Sequence, residues 1–252
     1  MKKFGLAAGS FLVCVIIIIF GVCVIHKNGG RLDQAPAWEA QVVPVSFGAG
    51  SGNAVILEKS QECYILCTAA HVVGAAPQSG LVSGSKPGEG SVSGSESVQG
   101  LVDGKPVSVQ EYYVSPNVDV AFLKISAQFL EGKEHTGQAV GPREYLPAGL
   151  DSAAYNELLE ADPLYIFGFL GGEQQTYEGQ VLSCWIYMED FGYHMLWGQA
   201  SEVKSGMSGS GVFDENGQLI GILCGGNGTD QVAVLPVSII EAEWKNSKME
   251  ER

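Results

Sequence analysis

The sequence predicts an all-β protein built as two small β-barrels, with a helix at the C-terminal end. Three observations predict it. The chain holds 34 glycines, 46% apolar residues and only 17% charged residues, a composition that suits a turn-rich β fold better than a helical bundle. Its apolar residues come in short runs bounded by turn-forming residues, not in long amphipathic stretches. Those runs gather into two blocks with a polar connection between them.

The first element in the chain stands apart from this pattern. Residues 4–25 carry no charge, and about twenty apolar residues is the length a helix needs to cross a bilayer. Lys2-Lys3 precede the run and His26-Lys27 follow it, with Gly21-Val22-Cys23-Val24-Ile25 leading straight into His26. No small-residue cleavage site follows the run directly, and Ala35-Pro36-Ala37 lies too far downstream to serve as one. The segment reads as an uncleaved single-pass anchor, and its N-terminal positive charge predicts the N-terminus inside and the remainder extracytoplasmic. Residues 1–28 are expected to form the cytoplasmic tip and transmembrane helix, residues 29–38 a tether, and residues 39–240 the folded domain.

Strands of the first barrel, residues 39–128, are expected at Val42-Val43-Pro44-Val45, Ala54-Val55-Ile56-Leu57, Tyr64-Ile65-Leu66, Val107-Ser108-Val109 and residues 118–125. Between them, residues 75–100 are rich in Gly, Ser and Pro with few large side chains, which reads as an inserted surface loop. A helix is expected around residues 153–160. The second barrel, residues 160–236, is expected to use strands at 164–169, 180–187, 194–197, 211–213, 219–223 and 231–235. Asp214-Glu215-Asn216-Gly217 marks a hairpin turn between two of these. Residues 237–252 have helical periodicity with Trp244 to dock, followed by a tail.

The formal net charge of −14 argues against nucleic acid as a partner, because such binding needs a basic surface that releases counterions. The cysteines outside the anchor, Cys63, Cys67, Cys184 and Cys224, lack the paired spacing of a zinc site. Disulfides and buried free thiols both remain compatible with them. No metal and no cofactor is expected.

Chemistry is carried by three places. Lys204-Ser205-Gly206-Met207-Ser208-Gly209-Ser210-Gly211 is a glycine-rich turn entering an apolar strand. Glycines allow positive φ and close backbone approach, so the amides of Gly206 and Ser208 can converge as an oxyanion hole beside Ser208. The same Ser-Gly-Ser triplet recurs at Ser83-Gly84-Ser85 and Ser93-Gly94-Ser95, but only the third copy is followed by a hairpin that can hold it rigid. Serine needs a base to act as a nucleophile, and histidine titrates in the useful range. Of the four histidines, His26 abuts the anchor, His135 lies in a charged loop and His194 sits in an aromatic strand. His71 instead follows the small residues Thr68-Ala69-Ala70 at a strand end. A histidine base needs a carboxylate to set its tautomer, and Asp119 supplies one within an apolar strand, where burial without a partner is costly.

Together, Thr68-Ala69-Ala70-His71, Asp119-Val120-Ala121 and Gly206-Met207-Ser208-Gly209-Ser210, in that order, resemble the three signatures of trypsin-like serine peptidases. Gly50-Ser51-Gly52, Phe167-Gly168-Phe169 and Leu219-Ile220-Gly221-Ile222 resemble the bacterial HtrA-like and glutamyl endopeptidase branches in style. The resemblance spans about residues 40–240 and implies a chymotrypsin-like double β-barrel with its site in the cleft between barrels. It implies His71 as general base, Asp119 as the residue orienting it, and Ser208 as nucleophile, acting on a protein or peptide substrate.

The departures from that pattern narrow what it implies. Met207 stands where digestive members hold an Asp that receives a freed N-terminus, so that style of activation is not expected. Leu223 replaces the His of glutamyl-specific relatives, so a preference for glutamate is not expected, and no PDZ domain of the HtrA type is expected within these residues. Glu202 aligns with the position that sets primary specificity in trypsin-like enzymes and implies a taste for basic side chains. Cys224 aligns with a small polar residue lining the cleft, and Gly225 and Gly226 continue that substrate-binding edge. The expectation is a membrane-anchored serine endopeptidase. The competing class is a catalytically silent domain of the same fold used as a surface binding module.

Overall fold

The computed structural model describes residues 37–74, 99–128 and 145–247. The expected anchor, the tether up to residue 36, the interior of the Gly/Ser-rich insertion, the two decoy triplets and His135 lie outside the described residues. Among the described residues no helix is long and apolar enough to cross a membrane.

Twelve strands close into two six-stranded antiparallel barrels. The first is made of β1 (Val42–Phe47), β2 (Gly50–Lys59), β3 (Cys63–Thr68), β4 (Gln99–Val102), β5 (Lys105–Val114) and β6 (Ala121–Ser126), in the closed order β1-β2-β3-β6-β5-β4. The second is made of β7 (Pro163–Leu170), β8 (Glu173–Met188), β9 (Tyr193–Ala200), β10 (Gly211–Phe213), β11 (Leu219–Gly226) and β12 (Gln231–Pro236). Its order, β7-β8-β9-β12-β11-β10, repeats that of the first. A one-turn helix α1 (Ala153–Asn156) lies between the barrels in sequence, and α2 (Val237–Ser247) follows β12.

Each barrel is filled by the inward half of its strands. Val42, Val55, Tyr64, Leu66, Phe122 and Ile125 are fully buried in the first, and Leu164, Ile166, Met195, Ile222 and Val234 in the second, the outcome that alternating strands produce when a sheet closes on itself. Aromatic contacts join the two. Trp38, on the 3-10 turn Ala37–Ala40, packs on Tyr165 and Phe213 of the second barrel at ring separations of 5.3 and 5.4 Å. Helix α2 then leaves the second barrel and docks on the first: Trp244 meets Phe122 edge-on at 5.1 Å, and Tyr113 donates to Glu243 at 3.0 Å. Burial and the Glu243 carboxylate push the Tyr113 hydroxyl pKa up to about 12, so it stays a donor across the neutral range.

Four local expectations are corrected. Asp119 is not within a strand, since β6 begins at Ala121. The Ser115 hydroxyl accepts from the amides of Asn117 and Val118 at 3.1 and 3.2 Å, and the Val120 amide bonds Val118 across a tight turn at 2.8 Å. This local capture overrides the strand-like alternation of Val118 and Val120. Strand β4 begins inside the stretch read as loop. Its hairpin to β5 turns at Asp103-Gly104, both at positive φ (50° and 71°), the backbone that an Asp-Gly hairpin turn adopts. The helix expected over residues 153–160 is a single turn. Strand β8 starts at Glu173, well before residue 180, because the polar run Glu173-Gln174-Gln175-Thr176 pairs along β7 without an apolar face to announce it.

Candidate active site

The site is assembled on β2. At Gly52, a Cβ atom would sit 2.5 Å from the Ser208 carbonyl oxygen and 2.9 Å from Val72, so only glycine lets the His71 turn and the Ser208 loop close on this strand together. The next residue fixes the loop directly: the Asn53 amide donates to Ser208 O at 2.7 Å. The Asn53 carbonyl accepts from Thr68 Oγ1 at 2.6 Å, tying in β3 just ahead of the histidine turn. The side chain of Asn53, fully buried, reaches into the second barrel. Its Oδ1 accepts from the Phe169 amide at 2.7 Å, while Nδ2 donates to Phe169 O at 3.2 Å and Gly206 O at 3.4 Å.

His71 lies on the 3-10 turn Ala70–Val73, which leaves β3 and ends at Gly74 in the left-handed region. Its Nδ1 is 2.7 Å from Asp119 Oδ2, and its backbone amide donates to Asp119 Oδ1 at 3.0 Å. Both carboxylate oxygens are thereby engaged by one residue, which fixes the relative orientation of ring and carboxylate. With Nδ1–H held by a carboxylate, the neutral ring keeps its lone pair on Nε2. The Asp119 carboxylate is 3% exposed and the His71 side chain 41%, so the pair is sealed on the Asp119 side and open on the imidazole side. The hydrogen bond to Asp119 raises the His71 pKa above its usual value, burial pulls it down, and the Asp119 charge adds to the rise.

The second barrel backs Asp119 through Tyr193, which the sequence did not single out, and through Cys224, which it placed at the cleft. Tyr193 Oη accepts from the Asp119 amide at 2.9 Å, and the Cys224 thiol lies 3.7 Å from the Asp119 carbonyl. Cys224 is the extra residue of a β-bulge in β11, where pairing to β12 shifts between Leu223 and Gly225. The bulge turns this side chain away from its neighbours' pattern, and burial raises its thiol pKa strongly. Tyr193→Phe is expected to cost about 1 kcal/mol of stability, because the Asp119 amide loses its acceptor; urea unfolding measures it.

The loop carrying Ser208 is held at several points. Gly209 N donates to Leu223 O at 2.7 Å, Leu223 N to Ser210 O at 2.9 Å, and Met207, fully buried, bonds back to Lys204 O at 3.3 Å. Gly206 has φ +96°. The amides of Gly206 and Ser208 donate to no group among the described residues, so both remain available to an oxygen brought in by a ligand.

Beside Ser208 lies a cavity of about 250 Å³ whose walls include Leu223, Gly225, Gly226, Thr229 and Gln231. Gly225 and Gly226 are therefore on its wall, whereas Glu202 and Cys224 are not among the residues that line it. Glu202 is exposed at positive φ (66°), its amide bonds Thr229 O at 3.3 Å, and its charge bears on Tyr177 of β8. The other described histidine, His194, stacks on Trp185 at 5.0 Å. All four described cysteines are free thiols, and no cluster of ligating side chains fit for a metal occurs among the described residues.

A missed residue such as Asn53 leaves a trace in the sequence, a lone amide between Gly52 and an apolar run. Tyr193 leaves none, since nothing local to Gly192-Tyr193 names a partner 74 residues earlier.

Comparison with known proteins bears on the family and the fold. Residues 50–222 match the family model described as trypsin-like peptidase domain. Among solved structures, the Rv3671c protease in its inactive form is similar at TM-score 0.53 and 18% identity, over 83% of this chain and 90% of that one. The active form of the same protease, from M. tuberculosis, is similar at TM-score 0.53 and 18% identity, over 83% of this chain and 81% of that one. No curated protein sequence matches. With the family model covering well over half of the chain and a double barrel beneath it, the chain belongs to the trypsin-like peptidase family and is a serine-type peptidase acting on peptide or protein substrates.

Proposed function

We propose that this peptidase is a membrane-tethered endopeptidase working through Ser208, His71 and Asp119. The observation that carries the reading is the double engagement of Asp119 by His71, ring and amide together, on the turn that packs against β2, the strand that also holds the Ser208 loop. Ser208 Oγ attacks the peptide carbonyl while His71 Nε2 takes its proton. The oxygen of the tetrahedral intermediate accepts from the amides of Gly206 and Ser208. His71 then gives the proton to the departing amine, leaving an acyl ester on Ser208. Water, deprotonated by the same Nε2, releases the acid and restores the serine. Asp119 keeps its charge throughout and stabilises the imidazolium. Residues 4–25 anchor the enzyme, with the peptidase domain extracytoplasmic.

A fluorophosphonate probe on the full chain in detergent tests the catalytic reading. Labelling is expected in the wild type and absent in Ser208→Ala and His71→Ala. A folded wild type that stays unlabelled sinks the reading in favour of a binding module.

The pH dependence has a defined sign. His71 must be neutral to accept a proton, and its pKa is raised, so kcat/KM is expected to climb with pH through a midpoint above that of free histidine. The stability contribution of the same pair runs the other way. It is fully present below the unfolded-state pKa of histidine and is lost as pH rises through the higher folded value. A pH–rate profile beside urea unfolding at matched pH checks both.

A further inference from the structure

The wall of the cavity beside Ser208 presents hydrogen-bond donors and no carboxylate, and the loop between β11 and β12 dictates this. Asn227 Oδ1 accepts from the amides of Thr229, Asp230 and Gln231 at 3.0, 3.2 and 3.0 Å. Three backbone donors on one oxygen fix which end of the Asn227 carboxamide is which. Its Nδ2 is therefore a donor, and it lies 3.1 Å from Gln231 Oε1. The Gln231 oxygen is thus occupied from outside the cavity wall, because Asn227 does not line it. What remains of Gln231 for a ligand is Nε2–H2, which donates to no described residue. Lys204 lies on the same wall, and its ammonium pairs with no described residue.

The nearby acids are turned elsewhere. Asp230 takes hydrogen bonds from Thr229 at 3.0 Å, Gln199 at 3.2 Å and Asn227 at 3.5 Å. Neither Asp230 nor Glu202 lines the cavity. A lysine or arginine side chain entering here would lose water and meet a cation and an amide donor, with no counter-charge in the wall. A leucine or phenylalanine would leave the Gln231 donor without a partner. A side chain ending in an acceptor oxygen suits the Gln231 donor, with the exposed Lys204 also among the lining residues.

We propose that this cavity receives the side chain of the residue whose carbonyl is attacked, that this residue is glutamate or glutamine, and that Gln231 selects it through Nε2–H2. The proposal rests on Ser208 being the nucleophile, and it replaces both the preference for basic residues that alignment of Glu202 implied and the expectation against glutamate drawn from Leu223.

The test is a set of peptides differing only at the residue before the scissile bond, Glu, Gln, Lys or Leu, digested by the full chain in detergent with Ser208→Ala as background. Glu and Gln peptides are expected to be cut at least about tenfold faster than Leu or Lys peptides, the effect of one hydrogen bond made or left unmade when the cavity is filled. The Glu-to-Gln ratio reports the part played by Lys204. Gln231→Leu is expected to lower the Glu-to-Leu ratio by about tenfold, and Gln231→Glu to raise Lys above Glu. Ser208-dependent cleavage that favours Lys or Leu in the wild type overturns this proposal alone, whether or not a variant folds. An unchanged Glu-to-Leu ratio in folded Gln231→Leu overturns it as well. Absence of both cleavage and fluorophosphonate labelling overturns the peptidase mechanism itself, and the specificity proposal with it.

Discussion

Asp119→Asn is expected to lower kcat by about ten-thousandfold, the size seen when a serine peptidase loses its orienting carboxylate, while the protein stays folded. The geometry gives the reason. His71 Nδ1 and the His71 amide are both donors toward Asp119. A carboxamide offers one acceptor oxygen and one NH2, so it satisfies the amide and drives Nδ1 to become the acceptor, or satisfies Nδ1 and faces the amide with hydrogens. The first outcome moves the ring proton to Nε2, where it blocks uptake of the serine proton. The neutral amide also removes the main cause of the raised His71 pKa, so the acid limb of the remaining activity is expected to move to lower pH. A steady-state pH–rate profile of the variant reads both effects. A loss of only a few-fold would place Asp119 outside the catalytic machinery.

Asn53→Ala is expected to be the most damaging substitution away from those three residues, costing roughly 3–5 kcal/mol of stability. Its side chain is fully buried and serves the Phe169 amide, the Phe169 carbonyl and the Gly206 carbonyl. Removing it takes the Asn53 side-chain hydrogen bonds from two backbone groups of β7 at the barrel interface and frees the residue that opens the oxyanion loop. The protein is therefore expected to lose thermal stability and, in the fraction still folded, to label more slowly with fluorophosphonate. Differential scanning calorimetry and labelling kinetics separate the two effects. Asn53→Asp keeps the acceptor for the Phe169 amide but puts an unpaired charge against two carbonyls, so it is expected to rescue nothing.

Much of the first barrel was legible because its strands are short apolar runs bounded by polar and turn residues: β1, β2 and β3 fall where Val42-Val43-Pro44-Val45, Ala54-Val55-Ile56-Leu57 and Tyr64-Ile65-Leu66 put them. The β10–β11 hairpin was legible from Asp214-Glu215-Asn216-Gly217, where the Asp214 carboxylate takes the amides of Asn216 and Gln218 at 2.9 and 2.8 Å. Strand β8 was half hidden because its first turn of pairing buries no apolar side chain. Asp119 was expected beside His71, where the structure places it, but for an incomplete reason. An acid in an apolar run signals a buried partner, but the hydroxyl of Ser115, not a strand, shapes its backbone.

The sequence by itself determined the fold class, the order of histidine, aspartate and serine, and the glycine-rich turn that carries the serine. These depend on local periodicity, turn chemistry and residue type, all of which act over a few residues. Only the tertiary structure decided what faces what. It brought Tyr193 behind Asp119 and Asn53 across the barrel interface, placed Cys224 on a bulge against Asp119, and left Glu202 off the wall that Gln231 occupies. The physical reason is closure of two barrels against each other: which side chain fills a contact is then set by register, bulges and hydrogen-bond completion between residues distant in sequence, and no local pattern encodes those.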